Sequence, residues 1–204
     1  MGKKHQEGFT LIELLVLMMV LALTLGLGVP AMTGMAANGR MTVAANDLVS
    51  SIRAARAQAS TRSRPVTLCA SSDWQADEPG CAPSASLFDG WIVFEDADGN
   101  AARSTGEAVL LAHGPIDDRI RGEARTAADG GTPQFLSFRS DGFPAEVAGR
   151  PGIRNLQLCD ARGDRDTGGG RAAGRWIIVS PAGHTVLVDQ VSRLQDAANP
   201  LGGC

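Results

Sequence analysis

The first long feature of the chain is a run from Phe9 to Met32 that is nearly all apolar, with Glu13 its only charge. A helix of that length can cross a bilayer hydrocarbon core of about 30 Å. Pro30 removes one backbone donor inside the run and predicts a kink there. Beyond it the pattern stays helical but turns amphipathic. Met41, Ala45, Leu48, Ile52, Ala55 and Ala59 recur at spacings of four and three, a single apolar stripe, while Arg40, Asn46, Asp47, Arg53, Arg56 and Arg62 point elsewhere. The stripe reads as the packing seam of a domain. Together the two stretches predict a helix from about Phe9 to Thr61, about 80 Å long, ended by Arg64-Pro65.

After Pro65 the periodicity changes to short β-like runs separated by turn residues. The candidate strands are Val66–Cys69, Trp91–Phe94, Val109–Ala112, Phe135–Phe138, Leu156–Cys159, Trp176–Val179 and Thr185–Val188. The segment Ala161–Gly174 is the longest glycine-rich stretch and reads as a flexible loop. The predicted fold class is α+β: a long N-terminal helix, transmembrane in its first half, packed on a C-terminal antiparallel β-sheet head domain. The expected segments are 1–8, a short polar leader; 9–32, the transmembrane part; 33–63, the amphipathic continuation; and 64–204, the β-rich head.

Composition adds four points. With 44% apolar and 20% charged residues in 204, the chain is ordinary for one globular domain with a helical extension. A net charge of −3 argues against a broadly basic nucleic-acid binder, though not against a local basic patch. The only lysines, Lys3 and Lys4, precede the apolar run, so the positive-inside rule leaves the N-terminus in the cytoplasm and everything after Met35 outside. The four cysteines, Cys69, Cys81, Cys159 and Cys204, form no C-x-x-C pair, which argues against zinc and thioredoxin-like chemistry. An even number of them beyond a membrane segment points to disulfides in an oxidising compartment.

The apolar run shows no good small-residue cleavage site of the kind that follows an ordinary secretory signal, Val29-Pro30-Ala31 and Met35-Ala36-Ala37 being the stretches that come nearest. Its distinctive residues lie at its start: Gly8-Phe9-Thr10-Leu11-Ile12-Glu13-Leu14-Leu15, behind the short basic leader. This stretch closely resembles the prepilin cleavage motif, and pilins commonly have a proline near position 30 as well. The resemblance implies cleavage between Gly8 and Phe9 by a prepilin peptidase on the cytoplasmic face, then N-methylation of Phe9. Glu13 has a physical argument of its own. An acid within a membrane span costs about 2.5–3.5 kcal/mol on insertion scales, so it is either an acid tolerated near the interface or a partner charge, and the second reading is favoured. The new amine of Phe9 on a neighbouring subunit is the candidate, and the pair would set the register of assembly.

The later motifs narrow the family. Phe88-Asp89-Gly90-Trp91-Ile92-Val93-Phe94-Glu95-Asp96 resembles the G-W-x-V-F-x-D strand of GspH/FimT minor pilins and pseudopilins. Phe138-Arg139-Ser140-Asp141-Gly142-Phe143-Pro144 is similar to that family's F-x-x-x-G-x-P strand-turn element. Leu158-Cys159-Asp160 and Arg175-Trp176-Ile177-Ile178-Val179-Ser180, with Gly183, look like its closing strands. The resemblance implies a structural subunit of a type IV pilus or a type II secretion filament. It would sit in the bacterial inner membrane with a periplasmic head, and then in the filament. The implied partners are other pilins, the prepilin peptidase, an inner-membrane assembly platform and the membrane itself; no cofactor is implied. Four cysteines allow three pairings, and the sequence leaves the choice open. Cys69 with Cys81, bracketing a loop that holds Trp74, and Cys159 with Cys204 is the favoured pairing, the second being similar to a tail disulfide of several minor pilins.

Other chemistry is weaker. Asp96-Ala97-Asp98-Gly99-Asn100 does not fit a calcium loop, because Gly99 as sixth position puts Phe94 first and Thr105 twelfth. It reads as a polar hairpin turn. Asp160, Asp164 and Asp166 have arginines interleaved and read as a solvated loop, so no metal site is expected. His5, His113 and His184 stand in no G-x-S-x-G, H-E-x-x-H or Walker motif, and no enzyme is expected. The alternative function is DNA binding during natural transformation, with Arg150, Arg154, Arg171 and Arg175 as candidate phosphate contacts. Two features disfavour it. From Arg139 onward eight arginines face seven acids, and Gly183-His184-Thr185-Val186 stands where DNA-binding FimT-like tails carry G-R-x-R.

Overall fold

The computed structural model describes residues 9–126 and 134–204, with side chains throughout except at residues 30 and 31. The leader, Gly8 and the histidine at position 5 lie outside these residues, and so does the side chain of Pro30. The chain divides into two compact units, residues 1–39 and 40–204.

In the first unit the described residues from Leu11 onward belong to helix α1, which spans Leu11–Arg62. Its large apolar side chains are uncovered: Leu11, Ile12, Leu14, Leu15 and most of those up to Met35 are more than half exposed. This is the one helix among the described residues long and apolar enough to cross a membrane.

In the second unit the same helix changes character. Met41, Ala45, Leu48, Ile52, Ala55 and Ala59, the stripe read from the sequence, are all fully buried. They share one core with residues of two antiparallel sheets. The first sheet has the order β3-β2-β1-β5-β6, where β1 is Val66–Ala70, β2 Trp91–Glu95, β3 Val109–His113, β5 Phe135–Phe138 and β6 Pro144–Ala145. The second has the order β4-β7-β8-β9, where β4 is Arg121–Arg125, β7 Asn155–Cys159, β8 Arg171–Val179 and β9 Thr185–Gln190. Period-two alternation decides what faces the helix. Val66, Leu68 and Ala70 join the helix core, whereas Cys69 turns outward into a second cluster with Ile92, Phe94, Phe135 and Val147. A short helix α2, Val191–Leu194, closes a third cluster by placing Leu194 against Ala172, Trp176 and Val188.

Three expectations are corrected. Strand β4 has no counterpart among the candidates, because Arg-Gly-Glu-Ala-Arg carries no apolar alternation and only Ala124 within it is buried. The segment Ala161–Gly174 is not a loop throughout: Arg171–Gly174 begins β8, and the turn before it is tied down by Thr167 N–H to the Arg171 carbonyl and Ala173 N–H to the Arg165 carbonyl. Nor are Asp160, Asp164 and Asp166 all part of a solvated loop, since Asp160 is buried.

Candidate functional site

At the N-terminal end of α1 the local chemistry is a capping box. The Glu13 N–H lies 3.3 Å from the Thr10 hydroxyl, which accepts from it, and the Thr10 N–H reaches back to the Glu13 carboxylate at 3.5 Å. This pairing satisfies two of the donors that every helix start leaves open. The Thr-x-x-Glu spacing of residues 10–13 is its signature, legible in the sequence but not singled out there. Phe9, immediately before, is 82% exposed. The acid in the span is therefore held inside its own chain at the point where the helix begins.

In the second unit, Cys69 is bonded to Cys81 and Cys159 to Cys204, each with Cα atoms 5.6 Å apart. The first bond closes the loop containing Trp74. The indole fits against Gly90 and Gly114; a Cβ at either position would come within 2.7–2.8 Å of it. The second bond ties the 195–204 tail to β7. Around it, the Cys204 N–H donates to the Asp164 carboxylate at 3.0 Å, and Asn199 donates to Gln157 at 3.0 Å. Beside it, Asp160 accepts from Arg162 Nη2 at 2.6 Å and from the Arg162 N–H at 2.9 Å. Burial pushes the Asp160 carboxyl up, but the Arg162 bonds and charge outweigh it and hold the carboxyl below the usual range.

The four candidate phosphate-contacting arginines are not brought together as a free surface. Arg175 is buried and spends its guanidinium on the Ala172, Ala173 and Gly174 carbonyls, where β8 bulges. Arg154 donates to the Ser180 carbonyl at 3.1 Å. Burial holds both guanidinium groups below the usual arginine range. Arg171 pairs with Asp189 at 2.8 Å, and Arg150 lies over the Phe135 ring at 5.5 Å.

Asp96, Asp98 and Glu107 place carboxylate oxygens within 4.8 Å of one another. Asp96 is fully buried yet satisfied, accepting from the Thr67 hydroxyl at 2.6 Å and from the Asn100 and Ala101 N–H groups at 3.0 Å. Burial, opposed by these bonds, raises its carboxyl above the usual range. Glu107 accepts from the Ala97 and Ser104 N–H groups at 2.8 Å. The group acts as the scaffold of the β2–β3 turn. Of the histidines, His113 ends β3, stacked on Trp91 at 4.0 Å and 3.4 Å from Asp47; neither it nor His184 has a serine–acid arrangement around it.

An N-terminal anchor helix, a capped acid at its start and a disulfide-tied β-rich second unit are thus the features to be matched. Residues 44–183 match the sequence profile of the family described as type II transport protein GspH. The chain belongs to this family. Residues 3–29 match the prokaryotic N-terminal methylation motif. The protein is a minor pilin or pseudopilin of the GspH/FimT kind, a membrane-anchored subunit that assembles with other pilins in a filament. No characterised protein matches the chain in sequence. Among solved structures it is similar to the type IV minor pilin FimU of Pseudomonas aeruginosa strain PAO1, at 18% identity and a TM-score of 0.47, over 74% of this chain and 89% of that one. A second crystal form of FimU aligns at 18% identity and a TM-score of 0.44, over 72% and 91%.

Proposed function

We propose that the GspH-family chain is made as a prepilin, clipped between Gly8 and Phe9 by a prepilin peptidase, methylated on Phe9, and drawn from the inner membrane into its filament. The observation that carries this reading is the methylation motif over 3–29 at the head of a GspH-family chain, with a membrane-length apolar helix behind it. The lysines before that helix orient the N-terminus to the cytoplasm and the second unit to the periplasm. An inner-membrane platform then supplies the force of extraction. The work is mechanical rather than catalytic.

Glu13 has two successive roles in this reading. In the membrane its carboxylate caps its own helix through Thr10. In the filament it receives the methylated amine of a neighbour's Phe9, an ion pair that a lipid-excluded core strengthens. The DNA-uptake alternative has less behind it, since three of the four arginines it called on are occupied by chain carbonyls or by Asp189.

The test is a clean deletion complemented with wild type and with Gly8→Ala, scored for surface pili and for secreted proteins. Lost piliation with intact secretion identifies a pilus subunit; lost secretion with normal pili identifies a pseudopilin. Gly8→Ala failing to differ from wild type in both would refute the processing step.

A further inference from the structure

Arg53, Arg56, Ala57 and Ser60 lie on one face of α1 and, with Gly183, His184 and Thr185 of the β8–β9 turn, line an open cleft of about 450 Å³. The cleft is built around Arg56. Its Nε donates to the Gly142 carbonyl at 3.1 Å, and its Nη1 donates to His184 Nδ1 at 3.2 Å, which places the ring proton of neutral His184 on Nε2. Two glycines with positive φ let the side chain through. At Gly183 (φ +77°) a Cβ would sit 2.6 Å from the Gly142 carbonyl and 3.1 Å from Arg56 Nε, and at Gly142 (φ +78°) it would sit 2.7 Å from the Ser60 hydroxyl. Arg53 is exposed and, among the described residues, reaches only the Thr185 carbonyl, at 3.5 Å.

Neither guanidinium has a carboxylate partner among the described residues. The nearby acid Asp141 is already taken by Arg139 at 2.6 Å. Exposed arginines without an ion pair occur elsewhere among the described residues, at Arg119, Arg121, Arg165 and Arg193; what sets Arg53 and Arg56 apart is that both line one cleft. Arg56, bonded to a carbonyl and an imidazole nitrogen, and Arg53, with one long carbonyl bond, keep their charge unspent and have N–H donors left for whatever enters the cleft.

We infer that this cleft receives a carboxylate side chain from a neighbouring pilin subunit, an inference that rests on the filament reading above. Charge complementarity favours that occupant over nucleic acid. Two neighbouring positive charges, one anchored at Arg56 and one mobile at Arg53, suit one carboxylate fork, whereas a polyanion needs a longer basic track and meets the repulsion of a chain with net charge −3. The contact would fix the azimuth of the second unit against its neighbour, which the N-terminal pair at Glu13 leaves undetermined.

The experiment places Arg53→Glu and, separately, Arg56→Gln in the full-length chain in its own host. Arg53 is exposed and holds one long bond, so its reversal leaves the fold intact, which a melting curve of the detergent-solubilised protein checks. The readout is the recovery of the chain in sheared filaments and the co-purification of other pilins from solubilised membranes, at 50 and 500 mM NaCl. Both variants should lower recovery, Arg53→Glu by about fivefold or more, and high salt should weaken wild-type co-purification while leaving the residual Arg53→Glu signal unchanged. A fluorescent twelve-nucleotide oligo-dT is titrated in parallel. Unchanged recovery, a loss that salt does not reproduce, or Arg53-dependent oligo-dT binding overturns the inference. In the first case, filaments that still contain the variant leave the filament reading standing; a wild-type chain absent from filaments would count against that reading itself.

Discussion

The indole N–H of Trp91 donates to the hydroxyl of Ser51 at 3.0 Å, and both residues are buried. The bond is a polar fastening inside the apolar seam between α1 and β2. Ser51→Ala leaves the Trp91 donor without a partner in a site closed to water, which costs about 1–3 kcal/mol. Denaturant unfolding of the full-length protein in detergent should show that loss. Ser51→Thr, which keeps the hydroxyl, should recover most of it.

Glu13→Ala separates processing from assembly. The substitution removes only the return bond from the Thr10 N–H to the carboxylate; the Thr10 hydroxyl still accepts from the backbone N–H of position 13, and the Gly8–Phe9 junction is unchanged in sequence. Mass spectrometry should find the chain cleaved and methylated, while sheared filaments should contain little of it. Normal incorporation of Glu13→Ala would end the idea that this acid sets the register.

Much of this architecture was legible in the residues, and the exceptions share a cause. The helix stripe from Met41 to Ala59 and the apolar strands declared themselves because one periodicity served one buried face. Strand β4 did not, because Arg121–Arg125 lies at a sheet edge and is held by its backbone pairing to β7 rather than by apolar burial. The first residues of β8 lacked an apolar period too: Arg-Ala-Ala-Gly follows three glycines and has no large apolar side chain, although Ala172 and Ala173 are buried in an inner strand. Arginines misled in both directions. Arg175 looked available but is buried by a bulge that no local pattern announces. Arg53 and Arg56 were legible only as pointing away from the apolar stripe, and the turn that makes them a cleft lies some 130 positions away in the chain.

Asp160 makes part of the stability depend on pH. Its carboxyl is held below the usual range in the folded state, so the stability it contributes is present above the unfolded carboxylate pKa and is lost as pH falls through the folded one. Asp160→Asn should therefore cost about 1.5–3 kcal/mol near pH 7, through the lost charge-assisted bonds to Arg162. The gap between variant and wild type should close on acidification below the carboxylate range. Chemical denaturation at a series of pH values measures it; a gap that stays constant with pH contradicts the assignment.

The two disulfides should differ in worth. Cys69–Cys81 spans 12 positions and Cys159–Cys204 spans 45, so by loop-closure entropy they restrict the unfolded chain by about 3 and about 4 kcal/mol. Paired serine substitutions at each bridge, compared by unfolding under oxidising conditions, test the order. The shorter bridge should cost less to remove, with the Trp74 loop alone loosened, while loss of the longer one should also free the tail that buries Leu194 and Asn199.

Gly174 shows how tightly the longer bridge is fitted. A Cβ there would lie 2.6 Å from the Cys204 sulfur, 3.1 Å from a Leu194 methyl and 3.2 Å from the Leu158 carbonyl, with backbone on one side and a covalently fixed sulfur on another. Neither neighbour can swing away as a free side chain could, so the tail must lift or the bridge must stay open. Gly174→Ala should thus expose free thiols at Cys159 and Cys204 to an alkylating reagent while leaving Cys69–Cys81 closed. It should also destabilise the protein by about as much as removing the bridge outright, on the order of 4 kcal/mol. Full protection of all four cysteines in Gly174→Ala would show that β8 yields more easily than its packing implies.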